Sequence, residues 1–134
     1  MVEERADGKL VLNQPAGHLE AGESLVQAAQ RETLEETAWE VEITHFLGLY
    51  HYHSSASGLT YIRSCFVARA RQQIPQRALD RDIERCLWLS PDEIQAQAPR
   101  LRSPMVWQAV VDYLQGIRYP LSLVHTGSLS GPAV

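Results

Sequence analysis

The chain has 134 residues, 45% of them hydrophobic and 21% charged, which suits one globular domain with a core of its own. A formal charge of −4 lacks the basic footprint of a nucleic-acid binder, so no nucleic-acid partner is expected. No apolar run approaches the roughly 18 residues of a membrane span. The opening Met1-Val2-Glu3-Glu4-Arg5 is charged where a signal peptide needs an apolar stretch, so a cytoplasmic protein without a membrane partner is expected.

Residues 8–14 (GKLVLNQ) read as a short strand, broken by Pro15-Ala16-Gly17. Residues 24–37 read as a helix with Ser24 as N-cap and good helix formers inside. Residues 40–53 (EVEITHFLGLYHYH) are rich in β-formers, 54–58 form a small polar turn, and 59–70 (LTYIRSCFVARA) are the hairpin partner. A charged loop, 71–82, leads to another strand at 83–89. Ser90-Pro91-Asp92-Glu93 starts a helix with a serine cap, proline at the first position and glutamate three residues on. Ser103-Pro104 opens a further helix with an apolar stripe through Met105, Val106, Val110, Val111 and Leu114, ended by Gly116. The Gly- and Ser-rich residues 125–134 read as a flexible tail, leaving a domain at 1–124. Cys65 and Cys86 lie in apolar stretches far apart and read as reduced, buried thiols. Interleaved strands and helices make this an α/β layered domain.

The chemistry concentrates in residues 17–39. Glu32, Glu35 and Glu36 fall within an arc of roughly 100° on the predicted helix. Carboxylates so close repel one another unless something offsets them. Three readings are open: a solvated helix face, a salt-bridge network with Arg31 that only stabilises the helix, or a hard divalent cation with oxygen ligands. The first sits poorly with Leu25, Ala28 and Ala29, which project in nearly the same direction, since a solvated face should lie opposite the apolar residues. The second leaves the net negative charge unneutralised. Mg²⁺ suits the third when the substrate carries phosphates. Just before the helix, Gly17 lets the backbone expose a carbonyl or approach a ligand closely.

Together these residues resemble the signature of the Nudix hydrolases: Gly, five residues, Glu, seven residues, Arg-Glu, two residues, Glu-Glu, one residue, Gly and a hydrophobic residue. Gly17, Glu23, Arg31, Glu32, Glu35 and Glu36 match it. Thr33 departs from the usual aliphatic residue, Ala38 replaces the closing Gly, and Trp39 takes the hydrophobic position. Ala38 bears on the helix-ending turn, where Gly is favoured if φ is positive.

The resemblance implies an α/β/α sandwich with a mixed β-sheet and a loop–helix–loop catalytic motif. It implies Glu32, Glu35 and Glu36 as Mg²⁺ ligands, with Mn²⁺ able to substitute and Gly17 contributing its carbonyl. One of the glutamates, or a water it orients, would be the base, and Glu23 and Arg31 would support the loop and the carboxylates. Water would attack a phosphorus of a small-molecule diphosphate.

The strings 12–21 (LNQPAGHLEA), 101–104 (LRSP) and 118–121 (RYPL) are similar to one phosphatase branch of that family, associated with thiamine-type diphosphates and nucleoside di- and triphosphates. The alternatives are a pyrophosphatase for ADP-ribose, dinucleotides or other nucleoside diphosphate derivatives, and a Nudix domain that binds a metabolite without catalysis. The family usually carries one more strand at its start, and residues 1–5 read like that strand's end. An open edge there would favour a homodimer over a monomer or lower stability.

Outside the signature, Asp80, Asp82 and Glu84 are candidates for a further metal ligand, and Glu84 is the one chosen. Tyr50 and Tyr52 alternate with His51 and His53, so one pair would stack on a pyrimidine while the other packs inside. Arg63 and Arg102 are candidates for phosphate oxygens. Gln14 and His18, beside the loop, are candidates for substrate contact.

Overall fold

The computed structural model describes residues 1–55 and 57–127. Val2–Ala6 (β1) and Lys9–Asn13 (β2) form a hairpin closed by Asp7 and Gly8, both at positive φ. After the 14–24 loop comes the helix Leu25–Thr37 (α1), capped by Ser24. Its Oγ accepts from the Gln27 backbone N–H while the Gln27 side chain accepts from the Ser24 N–H, a reciprocal capping box. Trp39–His53 (β3) and Thr60–Gln73 (β4) form a long antiparallel ribbon. Ile83–Cys86 (β5), Pro91–Ala96 (α2) and Pro104–Leu114 (α3) follow.

The α/β architecture is as expected, with the strands divided into two antiparallel sheets, ordered β2-β1-β5 and β3-β4. Parallel pairing among the described residues is confined to an isolated bridge between Leu12 and Leu101. Residues 1–5 do not form an open edge. β1 is paired on both sides, to β2 and to β5, with a bulge at Glu3/Glu4. Met1 is held as well, its amino group donating to the Leu87 carbonyl at 2.8 Å.

Both α1 and α3 pack on β3. One buried cluster joins Leu47 and Tyr50 of β3 to Met105 and Ala109 of α3, and Tyr52, Cys65, Val67 and Ile117 pack against it. Val2, Leu12 and Val106 are fully enclosed. Burying such side chains stabilises by about 1.5–3 kcal/mol each. Cys65 and Cys86 are free thiols and half-buried. Burial pushes the Cys65 thiol up to about 11.

β4 runs to Gln73, three residues into the stretch read as a charged loop. Its polar end is paired across the ribbon: Arg71 with Glu42, and Gln72 Nε2 with Glu40 Oε2 at 2.7 Å. β5 ends at Cys86, short of the expected residue 89. Of the expected tail, residues 125–127 carry no regular structure and 128–134 lie outside the described residues.

Candidate metal and phosphate site

α1 ends in a tight turn. Ala38 takes the left-handed conformation (φ 59°, ψ 19°), and its N–H donates to the Leu34 carbonyl. The closing Gly of the signature would hold this conformation without a Cβ penalty; here an alanine holds it, and Ala38 is buried. The turn sends the chain directly into β3, and the last two helical turns carry Glu32, Glu35 and Glu36.

Arg31 organises these carboxylates. Its Nε donates to Glu23 Oε2 at 3.1 Å. Nη1 donates to Glu32 Oε1 at 2.7 Å and to Glu35 Oε2 at 3.0 Å. Nη2 donates to Glu23 Oε1 at 2.7 Å and to the His18 carbonyl at 2.9 Å. Every N–H of the guanidinium is therefore engaged. The Glu23 hydrogen bonds, with those of Glu32 and Glu35, hold the Arg31 guanidinium well above its ordinary range. The same contact with Arg31 holds Glu23 below the usual carboxylate range, aided by the Glu20 N–H, which donates to Glu23 Oε1 at 2.7 Å. Arg31 thus clips the 17–23 loop onto the helix and fixes two of the clustered glutamates. His18 takes part through its carbonyl, and its side chain is exposed.

Carboxylate oxygens of Glu32, Glu35 and Asp80 lie within 4.8 Å of one another. Asp80 arrives from the β4–β5 loop, and its backbone N–H donates to the Glu35 carbonyl at 3.1 Å. The later acid that joins the cluster is thus Asp80. Glu84, the residue expected there, points elsewhere: it lies in β5 with its carboxylate 2.5 Å from Arg5 Nε. The reason is that the loop turns onto the helix end at Asp80, and by residue 84 the chain has entered the sheet beside β1. No spacing in the sequence separates Asp80, Asp82 and Glu84.

Glu36 is 7% exposed and turns to the loop, accepting from the Ala16 N–H at 3.1 Å. Burial pushes its carboxyl up to about 7; the Ala16 N–H opposes the shift, while Glu4, Glu32 and Asp80 add to it. Gly17 serves the cluster by its lack of a side chain. A Cβ there would lie 2.0 Å from Glu32 Cδ, so the Glu32 carboxyl group fills that space. The Arg31 guanidinium pairs with Glu23, Glu32 and Glu35, while Glu36 and Asp80 add two more carboxylates to the cluster. The salt-bridge network exists, but it leaves the group strongly negative, as a set of hard oxygen donors for a divalent cation would be.

A second polar group stands where β2 enters the loop. Arg63 of β4 donates from Nη1 to Asn13 Oδ1 at 3.0 Å and to Gln14 Oε1 at 3.3 Å. Gln14 Nε2 donates to the Val106 carbonyl at 2.8 Å. Arg102 Nη1 reaches Glu4 Oε1 at 3.1 Å, and its backbone N–H donates to the Leu12 carbonyl at 2.9 Å. Asn13 Nδ2 also donates to Glu4 Oε1 at 3.0 Å, so Gln14, Arg63 and Arg102 meet in one network of partners far apart along the chain.

Tyr50 and Tyr52 do not offer a free stacking platform. The alternation of β3 turns both toward the core, where Tyr50 is buried and Tyr52 packs against the cluster; His51 and His53 are exposed. Tyr50 OH donates to Asp112 Oδ2 at 2.7 Å. Burial, with that bond, raises the phenol well above its ordinary range.

Residues 2–108 match the family model described as "NUDIX domain". The chain is 42% identical over 124 residues to a protein named "Phosphatase NudJ" from Escherichia coli (strain K12), covering 92% of this chain and 80% of the relative. The same figures hold for a protein of that name from Shigella flexneri. A solved structure titled "NUDIX hydrolase from Nitrosomonas europaea" superposes with a TM-score of 0.93 at 43% identity, over 96% of this chain and 88% of that one.

Proposed function

Since the chain belongs to the Nudix family and is a hydrolase of phosphoanhydride bonds, we propose that it is a Mg²⁺-dependent phosphatase of small diphosphate metabolites. The substrates proposed are thiamine-type diphosphates and nucleoside di- and triphosphates, with orthophosphate released. The observation that carries this reading is the convergence of Glu32, Glu35 and Asp80 next to the buried Glu36, under a guanidinium that cannot neutralise them.

The donor set is all oxygen, which fits a hard cation such as Mg²⁺, with Mn²⁺ able to take its place. Glu32, Glu35 and Asp80 would hold it, with Glu36 and the Gly17 carbonyl completing the site. A cation there would supply charge stabilisation to the phosphate oxygens as the anhydride breaks. The chain's own residues do the rest. Arg31 and Glu23 fix where the carboxylates stand. Glu36, held by the Ala16 N–H, is the group proposed to orient the attacking water and take its proton. Arg63 and Arg102, beside the cluster, bind phosphate oxygens that the cation does not reach. The substrate is favoured by the similarity to proteins named "Phosphatase NudJ" and by the 12–21, 101–104 and 118–121 strings.

The test is phosphate release from thiamine diphosphate, nucleoside di- and triphosphates, ADP-ribose and a dinucleoside polyphosphate, with and without Mg²⁺. Mg²⁺-dependent orthophosphate release from the first two classes is expected. Cleavage confined to ADP-ribose or dinucleotides would replace the phosphatase reading with a pyrophosphatase one.

A further inference from the structure

Glu4 lies outside every signature residue, yet it stands at the centre of the polar network. Its side chain is 12% exposed. A carboxylate so enclosed is costly unless its oxygens are bonded. One oxygen, Oε1, accepts from both Arg102 Nη1 at 3.1 Å and Asn13 Nδ2 at 3.0 Å.

The second bond has a directional consequence. An amide has a donor end and an acceptor end. With its Nδ2 committed to Glu4, Asn13 must turn Oδ1 toward Arg63, which is where Arg63 Nη1 finds it. Gln14 is oriented in the same way, its Nε2 on the Val106 carbonyl and its Oε1 toward Arg63. Two amides thus present carbonyl oxygens to one guanidinium. Without Glu4, the Asn13 amide is free to flip and would set donor against donor.

Both arginines are held by one nitrogen. The Nε and Nη2 groups of Arg63 and of Arg102 have no protein acceptor among the described residues, and the Arg102 side chain is 42% exposed. The network lies where the chain enters the loop whose Ala16 N–H meets Glu36 and whose Gly17 makes room for Glu32. Cationic donors with spare capacity therefore stand next to the acidic cluster.

We propose that Glu4 is a positioning residue for phosphate recognition: one carboxylate oxygen fixes Arg102 directly and Arg63 by way of Asn13, so that both arginines present their remaining donors to a phosphate of the substrate. The proposal rests on the phosphoanhydride reading above. Its test is kcat and KM of the Mg²⁺-loaded protein for the nucleotide it turns over best, in Glu4→Ala, Glu4→Gln, Arg102→Ala and the Glu4→Ala/Arg102→Ala pair.

Glu4→Ala should raise KM roughly tenfold or more with little change in kcat, as expected for lost charge-assisted anchoring. Glu4→Gln, which keeps an acceptor oxygen, should rescue part of the loss. Arg102→Ala should cost less in the Glu4→Ala background than alone, because the two act as one unit. A Glu4→Ala protein with a lower Tm and unchanged KM would show a purely structural role and overturn the proposal.

Calorimetric binding of Mg²⁺-imidodiphosphate gives an answer that needs no turnover. It should weaken in Glu4→Ala and in Glu4→Gln, and equal binding by all three proteins would overturn the proposal. If the unaltered chain hydrolyses nothing, the phosphatase reading fails, and the binding comparison still decides the role of Glu4.

Discussion

Replacing Gly17 by alanine tests the site by geometry alone, since it adds one methyl group and removes no charge. The new Cβ would stand 2.0 Å from Glu32 Cδ and Oε1 and 2.2 Å from Oε2. Carbon atoms in comfortable contact are about 3.5 Å apart or more, so the carboxyl group must withdraw by about 1.5 Å. The obstructing atoms end a flexible side chain, so the backbone can stay while Glu32 swings. The swing breaks the 2.7 Å bond from Arg31 Nη1, a charge-assisted contact worth about 1.5–3 kcal/mol. Alanine returns about 0.4–1 kcal/mol by restricting the unfolded chain. The net loss is about 0.5–2.5 kcal/mol, a fall of a few degrees in Tm. The effect on turnover is expected to be far larger, because a misplacement on the order of 1 Å can cost about 10²-fold. Phosphate release at saturating Mg²⁺ and a thermal melt of the same sample measure both quantities. A Gly17→Ala protein with kcat/KM within about threefold of the parent would refute the claim that Glu32 must occupy this space.

Three further outcomes follow from the same geometry. Glu36→Gln should cut turnover by orders of magnitude and, by removing a buried charge while keeping an acceptor for the Ala16 N–H, should raise the Tm measured in EDTA; a lower Tm there would count against the burial argument. Asp80→Asn should weaken Mg²⁺ binding by roughly tenfold or more, whereas Glu84→Gln should leave it unchanged, since Glu84 pairs with Arg5; equal losses in isothermal titration would restore Glu84 as a ligand. Glu3, a buried residue of β1, is held below its ordinary range by hydrogen bonds from Arg85 and then Arg100. Its folded value lies below its unfolded one, so its stabilising effect is complete above about pH 4.5 and is lost as pH falls toward the folded value. Urea melts across this range should show that slope in the parent chain and a flatter one in Glu3→Gln.

Local signals were the legible part of this protein. Ser24, the Ala- and Glu-rich run behind it and the proline starts at Pro91 and Pro104 placed the starts of the three α-helices among the described residues to within a residue, because capping and propensity act over a few neighbours. The six signature residues identified the carboxylate cluster for the same reason: a helix converts fixed spacing into a shared face. What sequence reading missed depends on partners far along the chain. The extension of β4 to Gln73 rests on cross-strand partners at Glu40 and Glu42. The selection of Asp80 over Glu84 rests on where a loop lands. The inward turn of Tyr50 and Tyr52 was decided by α3, more than fifty residues later. Glu4 carried no signal of its own, as one of two adjacent acids in a short strand.

The loop that delivers Asp80 is tied down at two points on the helix end, by Ile74 N–H to the Ala38 carbonyl at 2.8 Å and by Asp80 N–H to the Glu35 carbonyl at 3.1 Å. The segment between these anchors behaves like a rope between two cleats: slack can be added in the middle without moving either end. Residues inserted among 77–79, past the turn that the Arg77 N–H closes on the Ile74 carbonyl at 3.4 Å, would bulge into solvent and leave both anchors in register. A single residue inserted between Asp80 and Ile83 has no such freedom, because the Ile83 N–H returns to the Asp80 carbonyl at 2.9 Å and β5 begins there. Tolerance to length change should therefore switch abruptly within four residues, a pattern that a scan of insertions through this loop would trace.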